Sequence, residues 1–301
     1  MKNKINKVDL FNHLNLKQKI GIGTIQFSAP YGIANQTGKI SLEEIKKIKK
    51  LARKNNIRTI DTASAYGDCE NILGRADFKE FDLITKLPVT KPSEDAHNWV
   101  IKNIKKSLKK LGVKQLYAVH VHNTGYLFSK YGPKIYKGLL TAKKMGLIKK
   151  WGVSTYTVPE LKKIISQYEI DIVLLPFNLF DQRTIKSKIL EKLKKSGVEI
   201  HARSTFLQGL LLMKNKKIPN KFNKWKKLFK RWEQIVSKVK MDKAKICLRY
   251  ALSNPYIDKV IIGMDSSKHF KQLLDHAGYI NLDTKSIDAS KEIDLINPAK
   301  W

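Results

Sequence analysis

Short apolar, largely β-branched runs alternate along this chain with longer segments whose apolar residues recur every three to four positions. The short runs are IGIGT (20–24), IRTIDTA (57–63), FDLITKL (81–87), LYAVHVH (116–122), KWGVS (150–154), DIVLLPF (171–177), VEIHARS (198–204) and KVIIG (259–263). Runs of this length and composition are expected as buried parallel strands, and the segments between them as the helices that cover a parallel sheet. After Ser41, for example, Ile45, Ile48, Leu51 and Ala52 form one apolar stripe, and Ser41 with Glu44 makes a Ser-x-x-Glu capping box at its start. Eight strand-helix units of roughly 30 to 40 residues fill the chain, with a longer passage before the last strand. The predicted fold class is therefore α/β, a single-domain (β/α)8 barrel of the TIM type over residues 19–301, preceded by an extension over 1–18. An open doubly wound sheet is the alternative. Its glycine fingerprint is incomplete, because Gly21 and Gly23 lack a third glycine at the required place.

Composition changes this picture little. The 301 residues are 42% hydrophobic and carry a net charge of +33, with a mean hydropathy of -0.36. No run approaches the roughly 18 to 20 uncharged apolar residues of a membrane span, and the charged N-terminus lacks a signal peptide's apolar segment, so a cytoplasmic protein is expected. The positive charge alone suggests nucleic acid or an anionic membrane as partner. It is mostly lysine spread over nearly every expected helix, without the patterns of nucleic-acid-binding modules, and no nucleic-acid partner is expected. Cys69 and Cys247 stand far apart without CxxC spacing, which argues against a disulfide framework or a structural zinc site. His120 and His122 lack a third metal ligand at a sensible spacing, so no metal is expected. The segment from Phe222, with Trp225, Leu228, Phe229, Trp232, Ile235, Val236 and Val239 at helical spacing, reads as a peripheral barrel helix in preference to a membrane-surface helix.

A barrel carries its chemistry on the loops after its strands. Asp61, Tyr66, Lys86 and His122 fall at or just beyond the C-terminal ends of expected strands two, three and four. A carboxylate there is costly to bury unpaired, and Lys86 is its natural partner. Positive charge beside Tyr66 favours the phenolate and so eases proton transfer by a group that ordinarily titrates near ~10. A neutral imidazole at His122 could then hold a carbonyl oxygen for that proton. His120, two residues deeper on the same strand face, is expected to be buried, neutral and hydrogen-bonded.

These residues carry a resemblance. TIDTASAYGDCENILG (59–74) resembles the aldo/keto reductase signature D-T-A-x-x-Y-G-x-S-E-x-x-L-G, with Cys69 in place of serine; DLITKLP supplies a lysine at Lys86, and LGVKQLYAVHVHN places the family histidine at His122. GLIKKWGVST, LLPFNLFDQR and ARSTFLQGLLL resemble later segments of the family, and GTIQFSAPYGIAN with the terminal NPAKW resembles a bacterial branch of it. The resemblance implies an NADP(H)-dependent reductase of an aldehyde or ketone, of a sugar or nucleotide-sugar among other carbonyls, with NAD(H) as the second option. Tyr66 would be the general acid, Asp61 and Lys86 would tune it, and His122 would orient the carbonyl. Cofactor contacts are expected from Thr24, Ser154, Thr155, Ser204, Phe206, Gln208, Gly209, Gly263, Ser266, Lys268 and Gln272, with Lys268, then Lys271, on a 2'-phosphate. Phe27, Tyr31, Tyr126 and Trp301 are expected as aromatic walls of the substrate pocket. Thr155, Leu174 and Leu273 depart from the family pattern on the cofactor side. A non-catalytic NADP(H)-binding barrel, acting as a sensor or partner subunit, is the competing function.

Overall fold

The computed structural model describes residues 16–35 and 38–301, so most of the expected extension lies outside the described residues. Eight parallel strands close into one barrel in chain order: β1 (Ile20–Gly23), β2 (Thr59–Asp61), β3 (Asp82–Lys86), β4 (Leu116–Val121), β5 (Ile148–Ser154), β6 (Ile172–Pro176), β7 (Glu199–Arg203) and β8 (Lys259–Ile262). Closure is made by β1 on β8, with Ile20 opposite Val260 and Ile22 opposite Ile262. Each strand lies within its expected run except β5, which starts earlier because Ile148 pairs with Leu116.

Alternation along β4 sorts its residues. Val119 and Val121 join the main apolar core between strands and helices, whereas His120, fully buried, faces the barrel interior. Gly152 of β5 marks where strands crowd: a Cβ there would lie 1.7 Å from the carbonyl oxygen of Ile172 on β6. At the end of the barrel opposite the C-terminal strand ends, Glu199 accepts hydrogen bonds from Tyr117 (2.7 Å), His201 Nε2 (2.6 Å) and Lys150.

The helix Leu42–Lys54 starts as expected, with Ser41 Oγ accepting from Glu44 N at 3.3 Å. The reciprocal half of the box is not made. Glu44 turns its carboxylate to Lys47 and to the backbone N–H of Ser267, at the start of the helix Ser267–His276. A complete box forms instead at Thr157 and Glu160, ahead of the helix Val158–Ile165.

A second apolar core lies under the long passage between β7 and β8. Phe222, Phe229 and Trp232 are buried in it with Leu179, Phe180, Leu211 and Leu295. The stripe from Phe222 is thus used internally, within a short 3-10 turn (Asn220–Trp225) and the helix Lys226–Val239. No helix among the described residues is long and apolar enough to cross a membrane.

Candidate active site

Asp61, Tyr66, Lys86 and His122 line one cavity of about 210 Å³ at the C-terminal ends of the strands. Neighbouring strands bring the first and third together: Asp61 ends β2 and Lys86 ends β3. Lys86 Nζ donates to Asp61 Oδ1 at 2.5 Å and to the Thr62 carbonyl at 2.7 Å, and stands 5.1 Å from the centre of the Tyr66 ring. The His122 ring meets Tyr66 edge-on at 6.2 Å. Behind them the signature residues brace the loop after β2. Cys69 Sγ donates to the Thr24 carbonyl, Thr24 Oγ1 donates to the Asp61 carbonyl, and Thr85 Oγ1 donates to buried Glu70.

The electrostatics of this cluster differ from the simple expectation for Tyr66. Burial raises its phenol above the ordinary value, and the opposing pull of Lys86 is weakened by the carboxylate of Asp61 beside it. Tyr66 therefore holds its proton, the state a proton donor needs and not the phenolate the lysine alone would favour. Burial, the largest influence on Lys86, works to deprotonate it, yet Asp61 and Tyr66 together reverse this and its ammonium is held charged. Burial and then Lys86 and Arg203 lower His122 to about 4, so its imidazole is neutral at physiological pH. His120 is buried and, by the same burial, held neutral. Contrary to expectation, neither of its ring nitrogens has a hydrogen-bond partner among the described residues.

Of the residues expected to touch a cofactor, Thr24, Ser154, Ser204, Phe206, Gln208, Gly209 and Gly263 stand on the cavity wall. Thr155 does not: it is buried behind the wall, its carbonyl accepting from Arg203. Ser266 caps the helix Ser267–His276, accepting from His269 N, while Lys268, Lys271 and Gln272 face solvent. Asp265 and His269 hold that end of the cavity instead. Of the aromatic residues expected at the pocket, Tyr31 lines it and accepts a hydrogen bond from Gln208 Nε2. The others are used in packing. Phe27 is buried against Phe78, Tyr126 packs on Tyr131 and donates to the Val89 carbonyl, and Trp301 packs on Phe222 in the second core.

Sequence reading missed Gln26, Tyr156, Arg203, Asp265 and His269, all of which line the cavity. Arg203 was legible as the polar end of an apolar strand, the same signal that marked Lys86. The loop covering the cavity is backbone-strained: Ser204, Leu207 and Gln208 all have positive φ, as does Gly209 at +90°. At Gly209 a Cβ would come within 2.6 Å of Ala34 Cβ, so the loop lies directly against the segment after β1. Non-glycine residues held in this region cost about 1 to 3 kcal/mol each, and such strain concentrates at ligand sites.

The sequence profile of the aldo/keto reductase family matches residues 19–295. The chain belongs to that family. Among similar sequences, Oxidoreductase sirO of Leptosphaeria maculans is 24% identical over 213 residues, covering 67% of this chain and 64% of that protein. Methylglyoxal reductase DkgB of Salmonella typhimurium is 28% identical over 163 residues, 52% of this chain and 59% of that one. The match thus spans less than two thirds of these relatives' length. Among solved aldo/keto reductase structures, AKR11C1 of Bacillus halodurans in its holo form superposes with a TM-score of 0.71 at 16% identity, covering 94% of this chain and 95% of that one. The glycerol dehydrogenase AKR11B4 of Gluconobacter oxydans gives 0.67 at 19% identity, with 93% of each chain covered. At these identities the structural likeness bears on the aldo/keto reductase fold alone.

Proposed function

We propose that the protein is a nicotinamide-dependent oxidoreductase that reduces an aldehyde or ketone, with Tyr66 as general acid. The observation that carries this reading is the convergence of Asp61, Tyr66, Lys86 and His122 on one cavity. The wall fits a dinucleotide. Gln26 presents a buried Oε1 without a partner among the described residues, and Gly209 allows the strained loop to lie against Ala34. Thr24, Ser154, Ser204, Phe206, Gln208, Gly209 and Gly263 are the residues that would hold it. Held there, a nicotinamide cofactor would supply a hydride for the reduction. Tyr66, its phenol kept protonated by burial, gives its proton to the carbonyl oxygen as negative charge develops there. The ammonium of Lys86, held by Asp61, stabilises the phenolate left behind. Neutral His122 orients the oxygen by hydrogen bonding.

The choice between NADP(H) and NAD(H) turns on the far end of the cavity. A 2'-phosphate there would meet Asp265 and His269 and no lysine or arginine of the wall, while Glu44 already takes the Ser267 N–H. That arrangement supports NAD(H) ahead of the NADP(H) expected from sequence. Titrating the purified protein with NADH and with NADPH by nicotinamide fluorescence, followed by a panel of aldehydes and ketones, tests the reading. Binding with turnover is expected. Binding without turnover of any carbonyl would favour the non-catalytic sensor, and absence of binding would remove the cofactor reading altogether.

A further inference from the structure

Arg203 ends β7 and points into the same cavity as Tyr66, Lys86 and His122. Its position is set by three contacts. Nη2 donates to the Thr155 carbonyl at 3.1 Å, Nη1 donates to Ser204 Oγ at 3.1 Å, and the guanidinium lies 4.3 Å from the centre of the Tyr156 ring. Among the described residues no carboxylate pairs with it. Two of its five N–H groups are used, leaving three in a planar fork.

The charges around the cavity make this cation stand out. Asp61 is committed to Lys86, the two charges offsetting each other. His122 is neutral. The remaining acid of the wall, Asp265, accepts from Asn35 and sits with His269. Arg203 shares the cavity wall with Tyr66, Lys86 and His122, and its charge acts on all three, which puts it at the reacting end. An arginine partly removed from water and left without a counter-ion costs free energy that a bound anion recovers, and its fork matches the oxygens of a carboxylate or phosphate.

Building on the carbonyl-reductase reading, we propose that the substrate is an anionic carbonyl compound, whose carboxylate or phosphate is received by Arg203 while its carbonyl faces Tyr66 and His122. Arg203 is then the specificity-determining residue of the site. The stacked Tyr156 ring and the Thr155 carbonyl hold the guanidinium in place, so the charge is fixed before the substrate arrives.

The test uses matched pairs of carbonyl compounds with the dinucleotide-loaded enzyme: succinate semialdehyde against butanal, and glyceraldehyde phosphate against glyceraldehyde. In the wild type the anionic member of at least one pair is expected to have a kcat/KM about 30-fold above its neutral partner, the size of one charge-assisted bidentate contact. In Arg203→Met that ratio should fall to near one, mainly through KM, and Arg203→Lys should restore part of it. The pair that responds distinguishes carboxylate from phosphate. Calorimetric binding of succinate, which carries the anion but no reducible carbonyl, should likewise be lost in Arg203→Met. Turnover of neutral and anionic partners at equal efficiency would overturn the proposal. So would a loss of NADH affinity in Arg203→Met that matches the loss in turnover, since Arg203 would then serve the cofactor's phosphates. If no carbonyl is turned over, the reductase reading fails, and the succinate arm still decides whether Arg203 is an oxyanion site.

Discussion

Replacing Lys86 with methionine keeps most of the side-chain volume and removes the ammonium. The Asp61 side chain is then left 5% exposed, with Oδ1 losing its 2.5 Å bond and Oδ2 already without a partner among the described residues. Orphaning one member of a buried pair costs about 3 to 5 kcal/mol. Asp61→Asn is milder, because Lys86 Nζ keeps its 2.7 Å bond to the Thr62 carbonyl and the amide oxygen can still accept. We expect about 2 kcal/mol for that change, the penalty for a charged hydrogen bond made neutral. The double variant removes both charges, so it should be more stable than the sum of the singles by about 2 kcal/mol or more. Urea unfolding of the four proteins, compared at constant m-value, measures this directly. Additivity within about 0.5 kcal/mol would refute the claim that Asp61 and Lys86 act as one buried unit. Both single variants should also lose about a hundredfold in carbonyl reduction, since Tyr66 loses either the cation beside it or the group that fixes that cation.

Other outcomes follow from individual residues. His122 is held at about 4 against an ordinary value near 6.5, so the unfolded chain binds more protons between those limits and stability must fall as pH drops through that window. Going from pH 7 to pH 5, unfolding measurements should show a loss of about 2 kcal/mol from this group, with His120 adding to it in the same direction. His120→Leu should leave carbonyl reduction within a few-fold and raise stability by about 1 kcal/mol, because it removes a buried imidazole with no hydrogen-bond partner, whereas His122→Ala should cost about a hundredfold in activity. Glu44→Gln should improve binding of NADPH relative to NADH by about fivefold, since it removes a negative charge at the helix start near Asp265; an unchanged ratio would exclude Glu44 from cofactor choice. Gly152→Ala should unfold the protein or lower its stability by several kcal/mol, as its Cβ cannot fit beside the Ile172 carbonyl.

The barrel was legible because each strand lies in a short, largely β-branched run that alternates with a helical segment, and β5 was misplaced only at its lysine-rich start. Asp61, Lys86 and His122 were legible for the opposite reason, as ionisable residues interrupting such runs at their ends. What sequence concealed depends on distance in the chain. Arg203 meets Tyr66 only because β7 and β2 belong to one ring of strands, and Glu44 reaches Ser267 only because the first long helix packs on the last. Phe27, Tyr126 and Trp301 are aromatic and lie near loops, yet each packs on another aromatic ring, Phe78, Tyr131 and Phe222 in turn, a pairing that sequence position does not reveal. The upward direction of the shift at Tyr66 was hidden because a lysine is visible in sequence while the burial that outweighs it is not.

Tyr66 is the proposed proton donor on which carbonyl reduction depends. The most direct test is Tyr66→Phe, followed by nicotinamide absorbance during carbonyl reduction and by fluorescence titration of the same cofactor. The change removes only a hydroxyl at the cavity wall, so dinucleotide affinity should stay within a few-fold while kcat/KM for the carbonyl falls by about a thousandfold. Turnover retained in that variant would contradict the mechanism.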